Sequence, residues 1–321
     1  MNWLREMRNR YRVLMEYKRQ HQQQRGYDVQ FYNIWEGQRH DELYWYQFLK
    51  AKGLNGIGRN IAFFSCFGPK EIIDYVKADV KVFISGENLT FAHYAAYANH
   101  ALDNSSIDFS MGLAVVNNPR YIRFPLWMDY MFPADSAVDD IRKKCVTLRY
   151  PILENKDKFC CMIASNSANG LRKEMMEKIG TIDHVDSAGR FMHNDDSLQA
   201  QYADKKLDYM RQYIFNICPE NSSAYGYTTE KLFEAISCGC IPIYWGAELA
   251  DKDVINEDAL VFWNREDDGK EAIKKITELY SNPKLMEEFM RQPRLMPTAE
   301  EYVLDTFATI ETRFRKLIYG L

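Results

Sequence analysis

YIFNICPENSSAYGYTTEKLFEAISCGCIPIYWG, residues 213–246, is the stretch from which the fold can be read. It opens on an apolar run of strand length, Tyr213–Ile217, and closes on a second, Ile241–Trp245. Between them lie a polar loop containing Gly226 and a helical pattern over Thr229–Ser237, with Thr228 or Thr229 as its N-cap. Strand, loop, helix, strand is the repeating unit of a parallel sheet. The first strand delivers Asn216, Pro219, Glu220 and Asn221 to its carboxyl end. A helix N-terminus beside that loop offers free N–H groups and partial positive charge, which suit a phosphate or diphosphate. Lys231, in the first turn, adds a full charge. Glu230 is acidic for such a place, but a carboxylate can accept two ribose hydroxyl hydrogens. On spacing alone an ordinary capped helix with a surface Glu–Lys pair fits as well. G-x-x-x-x-G-K-[ST] and G-x-G-x-x-G are both absent, so kinase and dehydrogenase readings lack their motifs.

The same alternation extends outward. Downstream come a strand at Ala259–Trp263, a helix at Lys270–Tyr280 and a long closing helix, Ala299–Tyr319. Upstream, Phe159–Ala164 and Ile182–Val185 read as strands flanking a helix at Gly170–Ile179. Before the charged linker Glu154–Lys158, strand-like runs appear at Val29–Ile34, Ile61–Phe67 and Val80–Ser85. Helix-like stretches there are Lys70–Lys77, Phe91–Leu102 and Val138–Thr147, and Asp108–Val116 and Tyr121–Trp127 read as extended. Strands separated by helices imply α/β halves with ligands at the carboxyl ends of the strands, near a topological switch. The expected division is a basic helix over 1–25, an α/β domain over 26–153, a second over 154–298 and a final helix over 299–321.

Composition narrows the function classes. With 46% hydrophobic and 27% charged residues the 321-residue chain can bury real cores, which excludes disordered and collagen-like classes. The net charge of −4 argues against a general nucleic-acid coat. No apolar run approaches the roughly 18 residues of a membrane span. The seven cysteines include no C-x-x-C pair, so free thiols fit better than a disulfide framework or a structural zinc site. The six histidines show no H-E-x-x-H.

The first 25 residues stand apart, with seven Lys/Arg against Glu6 and Glu16. Leu4, Met7, Tyr11 and Leu14 share one helical seam beside an Arg-rich face. Such a helix can lie on an anionic membrane, or the seam can dock on the protein itself or on a second copy as a homodimer. The Gln20–Gln24 run reads as a hinge.

The run from Glu220 to Gly246 resembles the donor-binding signature of the α-1,3-fucosyltransferases. SGEN at Ser85–Asn88, YIRFPLWMDYMF at Tyr121–Phe132 and CCMIASN followed by Arg172 agree with that family in order. The resemblance implies a GT-B glycosyltransferase: two Rossmann-like lobes facing a cleft, GDP-fucose in the C-terminal lobe and the acceptor sugar in the other. It implies inverting transfer to a hydroxyl, O3 of GlcNAc in an N-acetyllactosamine-type glycan. Alternatives are another nucleotide-sugar donor, or a non-catalytic sugar-nucleotide or glycan-binding protein.

Residue by residue, the resemblance makes Arg172 and Lys231 the diphosphate-binding cations and Glu230 the ribose partner. Asn221 and Tyr227 would line the donor pocket, with Ser165, Asn166, Gly189, Arg190 and Tyr225 as further donor-side candidates. Glu87, after the strand Val80–Ser85, would be the general base, with Glu36 or Glu220 as substitutes if it is not. Acceptor candidates are Trp35, His40, Arg123 and Trp127. Asp251-Lys252-Asp253 is a D-x-D string in a turn-like stretch, read here as a solvated loop. Two cations can do the electrostatic work, so no obligatory metal or other cofactor is expected beside GDP-fucose. A bacterial-type cytoplasmic enzyme, peripheral on the inner face of the membrane, is the expected setting.

Overall fold

The computed structural model describes residues 2–35, 37–151, 156–246 and 250–320. The chain divides into two compact units, Met1–Ser136 with Leu304–Leu321, and Ala137–Val303. Each is built on a five-stranded, wholly parallel sheet.

In the first unit the strands lie side by side in chain order: β1 (Val29–Tyr32), β2 (Ile61–Phe64), β3 (Val80–Ser85), β4 (Phe109–Gly112) and β5 (Tyr121–Arg123). Successive side chains leave a strand on opposite faces, and here both faces are covered. Tyr32, Phe64 and Phe83 pack with Val13 of the N-terminal helix (Asn2–Gln23) on one face. Phe31 stacks on Phe63 at 5.0 Å on the other, where Phe63 meets Phe314 of the closing helix. Two covered faces account for the near-continuous apolar runs of these strands.

The N-terminal helix continues through Gln23, so the glutamine run is not a hinge. It closes the sheet edge instead. β1 is an edge strand, and its outward backbone groups need partners. The Gln24 amide donates to Phe31 O and accepts from Phe31 N, as a neighbouring strand would. Gln20 accepts from Asn33 N at 2.8 Å, and His40 Nε2 sits 2.6 Å from Val29 O. Three side chains thus stand in for a sixth strand.

One helix has no counterpart in the sequence reading, and one stretch departs from it. Tyr44–Ala51 is a helix, with Trp45, Phe48 and Leu49 buried on one face; its aromatic composition masked the helical spacing. Of the extended Tyr121–Trp127, only Tyr121–Arg123 is strand, because Pro125 caps a helix over Leu126–Met131 that carries Trp127.

The second unit holds β6 (Lys158–Met162), β7 (Val185–Ser187), β8 (Tyr213–Ile217), β9 (Ile241–Tyr244) and β10 (Val261–Phe262), in the order β10-β9-β8-β6-β7. The order reverses between β6 and β8. That reversal is a topological switch point, where ligands bind beyond the carboxyl ends of the strands. Helices Leu171–Ile179 and Lys270–Ser281 supply Met175 and Ile276 to the core against Phe215, Ile241 and Trp263. The strand expected at Ile182–Val185 begins only at Val185, since the turn leaving the preceding helix runs to Ile182.

The division between units falls earlier than residue 153. The helix Val138–Arg149 packs on the helix Glu230–Ser237 and so joins the second unit. The closing helix (Ala299–Tyr319) is shared, its start in the second unit and its remainder in the first. All seven cysteines are buried free thiols. Among the described residues no helix is long and apolar enough to cross a membrane.

Candidate active site

At the switch point, a small cavity beyond β6 and β8 is lined by Arg172, Lys206, Asn216, Pro219, Lys231 and Glu234 among others. The fold therefore brings together two cations 59 positions apart in sequence, Arg172 and Lys231. Arg172 enters from the first turn of its helix and is 4% exposed. Its Nη2 donates to Asn221 Oδ1 at 2.8 Å, and its Nη1 to Asn166 O and Oδ1 at 3.0 and 2.6 Å. Burial lowers its pKa, opposed by Glu220, Tyr227 and Glu230.

Lys231 stands on the first turn of Glu230–Ser237. Its Nζ lies 3.3 Å from Glu220 Oε2 and 3.3 Å from Glu230 Oε1, and donates to Thr229 Oγ1 at 2.9 Å. Burial alone would lower this ammonium, but Glu220 and Glu230 outweigh it and hold it above its usual pKa. Glu220 is wholly buried. Its carboxylate accepts from Thr229 N and Thr229 Oγ1, both at 2.7 Å. The Thr229 hydroxyl thus turns to Glu220 and makes no helix-capping bond of its own. Glu220 is fully committed to fixing the helix start and the lysine. It is no substitute base.

The remaining donor-side candidates scatter in role. A Cβ on Gly189 would lie 2.2 Å from Ala164 O, so only glycine lets this loop close on the end of β6. Tyr227 is buried at the head of the same helix, whereas Ser165, Arg190 and Tyr225 are exposed. Asp251 is buried while Lys252 and Asp253 are exposed, so the D-x-D string is not a solvated loop throughout. Among the described residues no three His, Cys, Asp or Glu are grouped to hold a metal.

Glu87 follows β3 at the carboxyl edge of the first sheet. Its N–H donates to Ser85 Oγ at 3.1 Å, which fixes the turn. The carboxylate stands near Cys66 and Tyr94: burial first, and the Glu87 charge after it, push those groups up to about 11 and about 12.

With this geometry in view, two family domains match the sequence. The C-terminal domain of glycosyltransferase family 10 (fucosyltransferase) matches residues 153–302, and the alpha-(1,3)-fucosyltransferase FucT N-terminal domain matches residues 29–130. The chain belongs to glycosyltransferase family 10. It is 27% identical over 209 residues to the alpha-(1,3)-fucosyltransferase FucT of Helicobacter pylori, covering 57% of this chain and 41% of that protein. It is 29% identical over 210 residues to alpha-(1,3)-fucosyltransferase B of Drosophila melanogaster, covering 63% and 42%. These matches span less than half the length of either relative. A crystal structure of an alpha1,3-fucosyltransferase superposes with a TM-score of 0.61 at 21% identity, over 88% of this chain and 89% of that one. That likeness bears out the GT-B class of two Rossmann-like units.

On the first sheet of this family 10 chain, the acceptor candidates part company. Trp127 is 1% exposed and belongs to the core, so it offers no stacking face. Arg123 donates through Nε to Leu113 O at 2.9 Å and braces a loop. His40 is stacked on Tyr27 at 3.8 Å with burial lowering its pKa, and serves the β1 edge. Trp35 is 69% exposed. Trp35 and His40 line one cavity of about 820 Å³, with Gln23 and Gln38. Glu36 lies outside the described residues.

Sequence reasoning missed two groups. Lys206 lines the switch-point cavity and pairs with Glu234. Asp129 lines a cavity of about 100 Å³ with Ser65, Ser85, Gly86 and Gly112, at the carboxyl ends of β2, β3 and β4. Burial pushes its carboxyl up to about 7. The only signal in the sequence was its place inside the Tyr121–Phe132 stretch.

Proposed function

We propose that the chain transfers fucose from GDP-fucose to a glycan hydroxyl with inversion, the acceptor being O3 of GlcNAc in an N-acetyllactosamine-type chain and the product Lewis-like. Glu87 takes the hydroxyl proton as the acceptor oxygen bonds to the anomeric carbon. The bond from that carbon to the diphosphate breaks, and GDP leaves with the electron pair. Arg172 and Lys231 neutralise the charge that develops there, the Arg as a planar fork and the Lys as a point charge. Glu230 accepts from the ribose hydroxyls, and Asn221 and Tyr227 line the pocket. No metal is required when two fixed cations meet the diphosphate. The acceptor chain rests on Trp35, with Gln23 and Gln38 as hydrogen-bonding groups.

The observation that carries this reading is the convergence of Arg172 and Lys231 on one cavity at the switch point, each already held by a side-chain partner. Groups fixed before the ligand arrives lose little freedom on binding it. The reading is also supported by relatives named as fucosyltransferases and by a related structure that holds GDP-fucose.

Calorimetry of GDP binding tests it. Arg172→Ala and Lys231→Ala should each weaken GDP by about 10- to 100-fold, the worth of a hydrogen bond to a charged group. Unchanged affinity in both folded variants would overturn the donor site. Transfer of mannose from GDP-mannose, with none of fucose, would keep the site and replace the donor.

A further inference from the structure

The N-terminal helix docks by a face other than its apolar seam. Val13 is 2% exposed, and Gln20 and Gln24 pair with the β1 edge, so these positions fix one side of the helix to the first unit. At 3.6 residues per turn, Trp3, Leu4, Met7, Tyr11, Leu14 and Met15 gather in a sector of about 120° turned away from that side. Five of them are exposed: Trp3 66%, Leu4 56%, Met7 51%, Tyr11 66% and Met15 46%. Single exposed hydrophobic residues need no explanation, but a contiguous stripe marks a binding surface.

The charges beside the stripe identify what it binds. Arg5, Arg8 and Arg12 run along one flank, Arg10 along the other, and Lys18 lies at the end of the stripe. Arg5, Arg8, Arg10 and Lys18 make no hydrogen bond or ion pair among the described residues. Glu71 and Asp74 line a groove together with Arg5, Arg8, Arg10 and Arg12, and among the described residues they pair with none of these arginines. Large apolar side chains bordered by unneutralised arginines are what an interfacial helix presents to anionic lipid.

We propose that the helix Asn2–Gln23 seats the protein on an anionic membrane surface, axis parallel to the plane, apolar stripe at the acyl boundary and arginines among the headgroups. A second copy fits less well. Two-fold pairing through this face would set the same arginines against one another. A head-to-tail contact with the acidic body would build a ring or an open chain of copies, not a two-fold dimer. The rest of the chain carries net negative charge, which keeps the attraction to anionic lipid local to this helix. The inference is independent of the transfer reaction.

Sedimentation of the full chain with vesicles tests it. Binding to vesicles of about one-third phosphatidylglycerol in phosphatidylcholine should exceed binding to phosphatidylcholine alone by about tenfold or more. It should fall as salt rises from about 0.1 to about 0.5 M. Met7→Glu with Tyr11→Glu should abolish binding with melting temperature unchanged, since both side chains are exposed. Arg8→Gln with Arg10→Gln should remove most of the preference for anionic lipid. Equal binding to both vesicle types, or none to either, overturns the proposal. So does a dimer formed without lipid and dissolved by Met7→Glu with Tyr11→Glu.

Discussion

The carboxyl edges of the two sheets hold their charges differently: the second pairs its cations with buried partners, and the first carries carboxylates. At the second, Arg172 and Lys231 are held by Asn221, Asn166 and Glu220 before any ligand arrives. At the first, Glu87 and Asp129 stand among serines, a thiol and a phenol, and among the described residues Asp129 forms no ion pair with a Lys or Arg. The contrast follows from the chemistry. In the proposed transfer a departing diphosphate needs positive charge beside it, and a nucleophilic hydroxyl needs a carboxylate to take its proton. It also sets what substitution does. Loss of Lys231 from the second edge strands the buried Glu220, whereas neutralising Asp129 on the first edge relieves a desolvated charge.

The largest effect expected from this division is on turnover. Glu87→Gln keeps the shape and removes the proposed base, so kcat should fall by about 10² to 10⁴ with GDP affinity unchanged. Single-turnover rates and GDP calorimetry on the same preparation measure both. A wild-type rate in Glu87→Gln, with the loss appearing in Asp129→Asn, would move the base to the missed carboxylate and leave the contrast between edges intact. Loss of GDP affinity in Glu87→Gln would break it.

The second edge was the more legible in sequence because its groups lie in one local unit. Strand, loop and helix start deliver Asn221, Glu230 and Lys231 within fourteen residues of the strand end, and the run Glu220–Gly246 is long enough to resemble one family. Even there, Glu220 read as a spare base, because burial and the Thr229 contacts are tertiary facts. The first edge was less legible. Trp127 looked like a stacking platform until Pro125 turned its segment into a helix facing the core. The glutamine run looked like a hinge because side chains that cap a strand edge leave no local pattern. Asp129 carried no signal of its own: its altered carboxyl comes from what β2, β3 and β4 set around it.

A smaller, measurable effect concerns pH. Asp129 titrates at about 7 in the folded protein, above the ordinary Asp value of 3.8. The folded state therefore holds this proton to higher pH than the unfolded chain, and stability falls as pH rises between those two values. Below about 4 the group costs nothing; above about 7 the full cost is present. Asp129→Asn should remove that loss, raising stability at pH 8 by about 1–3 kcal/mol relative to wild type and leaving it unchanged near pH 4. Urea titrations at the two pH values measure the difference. Equal shifts at both would mean the side chain acts by packing, and the first edge would then hold one functional acid, not two.

The smallest effect belongs to Trp35, and it bears on the proposed acceptor contact of the first unit. Trp35 is largely exposed and touches Phe67 edge-on at 5.2 Å, so the protein gains little by holding it. Trp35→Ala should therefore change stability by no more than about 0.5 kcal/mol. A sugar ring stacked on the indole would lose about 0.5–1.5 kcal/mol of contact, which raises KM for the acceptor by roughly 2- to 12-fold. The proposed donor cations Arg172 and Lys231 belong to the second unit, so GDP affinity should not move. Neither should kcat at saturating acceptor, since the indole touches no reacting atom. Acceptor KM measured with a disaccharide and with a longer chain carries the decision. A rise confined to the longer chain puts distal sugars on Trp35, with Gln23 and Gln38 beside it. An equal rise for both puts the reacting disaccharide there. No rise for either removes the 820 Å³ cavity from the acceptor path and leaves acceptor recognition to the carboxyl ends of β2, β3 and β4.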